Sequence, residues 1–170
     1  MIGRQVAVIG SHDDSRFLNE AREIGRHIAR RHWVLVCGGR GGIMEAASKG
    51  AAEEGGIVVG ILPGNDFSDA NPYLTAAVAS GIGFARNSMN VLSGDVIVAI
   101  GGKTGTMSEL SYAFQYGKPI IICSFAGGWS AAFSDIALRE DASSLIHTAA
   151  TVNEATGMLD ALLGGETARR

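Results

Sequence analysis

Two stretches of this chain combine glycines with cations or hydroxyls at spacings suited to holding a phosphate. The first is Gly38-Gly39-Arg40-Gly41-Gly42, between a β-branched run and an alanine-rich helical run that begins near Ile43. Glycine lets the backbone turn sharply and lets a ligand approach the amides closely. The free N–H groups and partial positive charge of a helix start suit an anion, and Arg40 adds a bidentate ionic partner. The structural alternative is a tight βα turn with Arg40 in solvent. The second stretch is Gly101-Gly102-Lys103-Thr104-Gly105-Thr106, again a strand end followed by a helix, with threonine hydroxyls as extra donors. Its spacing matches neither the GxxxxGK[ST] phosphate loop nor the GxGxxG dinucleotide fingerprint.

Other reactive side chains fall near these loops. Glu109 lies four residues after Gly105 and shares its helix face. A carboxylate there can reach a ribose hydroxyl or act as a general acid/base; the alternative is a first-turn Glu that favours the helix dipole. Arg86 and Asn87 open the helix before the run VIVAI. Arg86 suits a phosphate clamp or a surface salt bridge. Gly10 and Ser11 end the first strand, and the Ser11 hydroxyl is placed to donate to a ligand. His12, Asp13 and Asp14 follow without a second spaced ligand set, so they read as loop or helix-cap chemistry and no metal site is expected. His27 and His32 are expected to be exposed, and His147 packed. A G-x-S-x-G nucleophile elbow is absent.

The hydrophobic pattern says how these residues meet. Strand-like runs at 5–9, 33–37, 57–61, 95–100, 119–123 and 145–149 alternate with helix-like segments at 15–31, 43–54, 84–93, 105–116, 129–139 and 152–163. Phe17, Ala21, Ile24 and Ile28 form one face of an amphipathic helix. VIVAI lacks polar alternation and fits a parallel strand buried on both faces. Such alternation implies right-handed βαβ units. The expected fold is a single α/β Rossmann-like domain, an open parallel sheet with helices on both faces. Counting the six strands along the chain, the central order is 3-2-1-4-5. Ligands bind such sheets beyond the strand C-termini, where strand order reverses, here between the first and fourth strands. Residues 62–83, rich in Pro, Gly, Asx and Ser, read as a long functional loop, and the tail 164–170 as frayed.

Composition bounds the partners. A chain of 170 residues makes one domain the default. Its 46% hydrophobic and 18% charged residues are a globular balance. The net charge of −3, with no concentrated basic block, argues against a nucleic-acid partner; the basic stretch 26–31 reads as a solvated helix face. No apolar run reaches the ~20 residues that span a membrane, and no secretory leader is visible. Cys37 and Cys123 end strands three spacings apart in the expected sheet, roughly 14 Å, beyond the ~7 Å reach of a disulfide. Reduced thiols and a cytoplasmic protein are expected. The helices at 43–54 and 105–116 carry small residues and are expected to leave apolar surface for a second copy, as a dimer or tetramer.

Two segments carry a family resemblance: GGRGGIMEAASKGA at 38–51 and GFARNSMNVLSGDVIVAIGGKTGTMSEL at 83–110. Over roughly residues 5–163 the chain resembles the LOG-like superfamily, whose members often carry the label "possible lysine decarboxylase". The superfamily includes the LONELY GUY cytokinin-activating phosphoribohydrolases and the molybdenum cofactor carrier proteins, and the chain looks most similar to the carrier branch. That resemblance implies a Rossmann-like homo-oligomer binding a phosphorylated pterin or nucleotide-like ligand, either molybdenum cofactor or a nucleoside monophosphate, with no other cofactor required. The phosphoribohydrolase branch is marked by PGGxGTxxE and an upstream Arg-Lys pair, and it cleaves the N-glycosidic bond of a nucleoside monophosphate. Its Arg falls on Arg86 and its Glu on Glu109, the catalytic pair if this chain is a hydrolase; Gly105 and Thr106 also match. Its Pro, second Gly and Lys fall instead on Gly101, Lys103 and Asn87. Lys103 is disfavoured there if the position needs a positive φ, and Asn87 removes a cation. These departures favour a carrier or sensor over a phosphoribohydrolase. No cofactor lysine is identifiable, so lysine decarboxylase activity is not expected. The side chains that read the base or pterin are expected from the loop 62–83.

Overall fold

The β-branched runs become the strands of one sheet. The computed structural model describes residues 3–137 and 144–165. In chain order its elements are β1 (Gln5–Gly10), α1 (Leu18–Arg30), β2 (Val34–Cys37), α2 (Ile43–Glu53), β3 (Val58–Leu62), β4 (Ala76–Ala79), α3 (Asn87–Ser93), β5 (Val96–Ile100), α4 (Thr104–Gln115), β6 (Ile120–Cys123), α5 (Gly128–Ala137), β7 (Ile146–Ala149) and α6 (Val152–Leu163). All seven strands are parallel, in the order β4-β3-β2-β1-β5-β6-β7. The expected central order is therefore found as β3-β2-β1-β5-β6.

Strand alternation sorts the core into two layers. Val6 and Val8 of β1 join Val96, Val98 and Ile100 of β5 under α1, α2 and α6, where Ile24, Ile28, Ile43, Ala47 and Leu159 pack. Ala7 and Ile9 join Ile97 and Ala99 under α3, α4 and α5, where Val91, Leu110 and Phe133 pack. Both faces of the central strands are thus dry, which is why VIVAI carries no polar alternation. Cys37 and Cys123 are buried free thiols on β2 and β6, with β1 and β5 between them.

Several expectations need correcting. The stretch 62–83 is not all loop: Ala76–Ala79 pairs in parallel with β3 as an edge strand, from Val59↔Ala76 to Leu62↔Ala79. Alanine has low intrinsic strand preference, so the pairing with β3 makes this strand, not its own composition. Helix α1 starts at Leu18, because Asp14 Oδ1 holds the Arg16 amide in the loop and Phe17 takes a left-handed backbone, φ 58°. Of the two roles expected for Asp13 and Asp14, Asp14 takes the loop one, and no side chain caps α1. His27 is half-buried, bonded to Asp160 at 2.8 Å with its ring edge against Trp33. His147 is also only half-buried. Arg22, Arg26, Arg30 and Arg31 pair with Glu53, Glu23, Glu54 and Asp160, so the basic face of α1 is an ion-paired surface. Residues 138–139 of the expected helix and residues 166–170 of the expected tail lie outside the described residues.

Two small residues of α2, Ala47 and Gly50, pack closely against α1. Gly25 of α1 stands against the Ala47 carbonyl of α2, and Gly50 of α2 against the Arg22 carbonyl of α1.

Candidate functional site

Strand order reverses between β1 and β5, whose C-termini lie side by side, Gly10 opposite Ile100. A cleft of about 180 Å³ opens there. Gly10, Ser11 and His12 line it from β1 and the following loop, and Arg40 and Met44 from the β2–α2 side. Phe84 and Arg86 line it from the segment before α3, Asn87 from the start of α3, and Lys103, Thr104, Gly105, Thr106 and Glu109 from the N-cap and first turns of α4.

The N-terminus of α4 forms one wall. Its N-cap, Lys103, makes no side-chain capping bond, and Thr104, Gly105 and Thr106 of its first turn line the cleft, where uncapped helix amides and the dipole favour an anion. The tight turn before it is carried by Gly101 and Gly102, φ 59° and 94°. Lys103 itself is extended, φ −128°, so the position needs no left-handed backbone and a lysine fits there without strain. Its ammonium lies 2.6 Å from Asp13 Oδ2. Asp13 also accepts the Ser11 hydroxyl, and these two donors hold its carboxyl well below the usual range.

Arg86 and Glu109 form the floor. Both are buried, 7% and 6% exposed, so the surface salt bridge is not found, and Glu109 lies beyond the first turn of α4, so the first-turn Glu is not found either. Arg86 ends a 3-10 turn, Gly83–Arg86, and its Nη1 lies 3.4 Å from Glu109 Oε1. Room for the guanidinium comes from Gly38, where a Cβ would sit 2.6 Å from Arg86 Nη2. Arg86 Nε has no hydrogen-bond partner among the described residues, and burial lowers the guanidinium's pKa. Glu109 Oε1 also accepts from Asn90 Nδ2 at 2.8 Å. Burial outweighs both partners and pushes the Glu109 carboxyl up to about 7. A carboxyl that titrates there can both give and take a proton near neutrality. Asn87 is 3% exposed and donates to Ser108 Oγ at 2.7 Å, so it braces α3 against α4.

The first glycine cluster is mostly architecture. Of its residues only Arg40 lines the cleft, and it also pairs with Asp69 at 3.5 Å. A side chain at Gly42 would strike the Ser11 carbonyl, which already accepts the Ile43 amide at 3.1 Å. The start of α2 is thus capped by the β1–α1 loop. Gly39 is left-handed, φ 73°, and its carbonyl takes the Asn71 amide at 2.8 Å; Gly41 faces the His12 carbonyl. Gly101 and Gly102 lie behind the cleft, where a Cβ on Gly102 would overlap Thr106. No residue of 62–83 is among those lining the cleft.

Reading the sequence missed Asn90, His12 as a wall residue, Met44 and Phe84. Asn90 was findable: it lies four residues after Arg86, hence on the same side of the turn. The others carried no local signal.

Fold and cleft together define a Rossmann-like α/β protein with its candidate site at the switch point. The chain belongs to the SLOG cluster4 family, whose model matches residues 3–156. It is 40% identical over 122 residues to an uncharacterized protein of Archaeoglobus fulgidus, covering 68% of this chain and 77% of that one. Among solved structures, the molybdenum cofactor carrier protein of Chlamydomonas reinhardtii superposes with a TM-score of 0.84 at 32% identity, over 96% of this chain and 99% of the other. The molybdenum cofactor binding protein of Rippkaea orientalis gives 0.82 at 30% identity, over 95% and 98%. The resemblance to the LOG-like superfamily, near its carrier branch, holds. Among the described residues no helix is long and apolar enough to cross a membrane.

Proposed function

We propose that this chain holds a phosphorylated, nucleotide-like ligand in the cleft as a carrier or sensor, with molybdenum cofactor the first candidate. The observation that carries this reading is Gly105. It sits in the first turn of α4, lines the cleft, and has nothing within 4 Å of where a Cβ would be. A helical glycine costs about 0.5–1 kcal/mol relative to alanine, and no neighbour demands one here. What its missing side chain leaves open is the approach to the α4 amides, beside a buried arginine with an unpaired Nε. The similarity to a molybdenum cofactor carrier and a molybdenum cofactor binding protein supports the same class of ligand. A reducing, cytoplasmic setting fits the two buried free thiols. A homo-oligomer is supported by Leu92 on α3 and Tyr116 just past the end of α4, large hydrophobic side chains about half exposed. Sedimentation equilibrium showing monomer alone at micromolar concentration would refute it.

Gly105→Ala tests the binding reading. The variant should melt at the same temperature or higher, yet bind AMP on the order of tenfold more weakly by calorimetry, because the methyl group blocks the amides. Unchanged AMP affinity would remove the α4 N-terminus from the site.

Lys103 and Ser11 give a second test. Asp13 accepts the one Ser11 hydroxyl proton and one of the three Lys103 ammonium protons, so an anion gains Ser11 only by displacing the carboxylate and shares Lys103 with it. Asp13→Asn should tighten AMP by about fivefold, and the gain should vanish when Lys103→Met is added. A gain that survives in the double variant would mean simple charge repulsion.

A phosphoribohydrolase is the second reading, favoured by the Arg86–Glu109 pair and the carboxyl near 7. In it Arg86 holds the substrate and Glu109 positions water or stabilises the ribosyl cation. Incubation with AMP decides: retained AMP supports the carrier, whereas accumulating ribose 5-phosphate and adenine supports the enzyme.

A further inference from the structure

We infer that Phe84 is the platform on which the ligand's flat ring stacks. This deepens the phosphate-binding reading and rests on it. Recognition of a base or pterin needs a planar apolar face, and the cleft holds few candidates. The stretch 62–83 does not line it, being drawn to the sheet edge by β4. Met44 lines it but is only 6% exposed, and His12 lines it with a smaller, polar imidazole ring. Phe84 lines it and is 78% exposed, the highest value among the exposed large hydrophobic side chains of the described residues.

The local backbone accounts for this placement. Gly83 is left-handed, φ 59°, and starts the 3-10 turn that runs through Arg86. Two residues apart on that turn, the guanidinium of Arg86 goes into the protein while the ring of Phe84 stays out at the mouth. One short turn therefore presents a buried cation and an exposed aromatic ring to the same cleft. That pairing suits a phosphate monoester carrying a planar heterocycle. A sugar phosphate alone leaves the ring uncovered.

The test compares AMP with ribose 5-phosphate, which lacks the ring, by calorimetry on wild type, Phe84→Ala and Phe84→Trp. Wild type should prefer AMP. Phe84→Ala should lose about tenfold in AMP affinity with ribose 5-phosphate unchanged, and Phe84→Trp should restore AMP binding. The side chain is exposed, so an unshifted melting temperature is expected for both variants. Equal loss for both probes, or no loss for either, overturns the stacking role. If Phe84→Ala instead changes only the sedimentation of the protein, a second copy covers the ring and the inference is wrong. If wild type binds ribose 5-phosphate but gains nothing from adenine, stacking alone falls. If it binds neither probe, the phosphate reading falls and stacking with it.

Discussion

Glu109→Gln is expected to stabilise the protein above pH 7 and to flatten its stability between about pH 4.5 and 7. Glu109 is buried, and its carboxyl titrates near 7 in the fold against an ordinary value of 4.5. Between these values the unfolded chain gives up the proton while the folded chain keeps it. Stability from this group is therefore full below about 4.5 and lost as pH rises through 7. A displacement of this size corresponds to on the order of 3 kcal/mol. The arginine-paired carboxylates oppose this trend only at lower pH, with Glu53 held near 2 and Asp160 lowered by Arg31. The Gln side chain keeps an oxygen for Asn90 and Arg86 but has no proton to lose. Urea denaturation at intervals from pH 5 to 8 should show the wild-type slope and its absence in the variant. Equal slopes would mean that water reaches the carboxyl and that it ionises normally. The variant also serves the functional question: AMP binding should persist, and any ribose 5-phosphate release should stop.

Alanine at Gly25 or Gly50 is expected to destabilise the fold by about 3 kcal/mol or more. Helix propensity argues the other way, since alanine gains about 0.5–1 kcal/mol over glycine in a helix. The contact decides. A Cβ on Gly25 would overlap the Ala47 carbonyl oxygen and lie 2.8 Å from its carbon. One on Gly50 would overlap the Arg22 carbonyl and lie 2.7 Å from its carbon. Both obstacles are helix backbone, so relief requires α1 and α2 to separate along a seam that packs Ala21, Ile24, Ile28 and Ala47 onto the sheet. Gly157 on α6 is the matched control. Its Cβ direction is empty, so Gly157→Ala should follow propensity and stabilise by about 0.5–1 kcal/mol. Thermal unfolding of the three variants reads both signs. If Gly50→Ala melts with Gly157→Ala, the close helix crossing is wrong.

The architecture was legible because it is written in local periodicity. Runs of Val and Ile without polar interruption mark strands wet on neither face, and an apolar residue every third or fourth position marks α1. Glycine pairs at strand ends marked the rim. From these the strand order and the switch point followed with no knowledge of contacts, and Arg86, Gly105 and Glu109 could be placed near it.

Tertiary contact decided the rest. The burial of Arg86 and Glu109 depends on elements 23 residues apart meeting over Gly38, and burial, not residue type, moves the carboxyl to about 7. A sequence shows which groups can ionise; the surrounding dielectric belongs to the fold. Ala76–Ala79 is a strand only because β3 offers it a pairing edge. Glycines that look alike in sequence divide into three uses: a helix crossing at Gly25 and Gly50, space for a guanidinium at Gly38, and an open approach to helix amides at Gly105. Each use is set by what stands where the absent Cβ would be, and those neighbours come from distant parts of the chain.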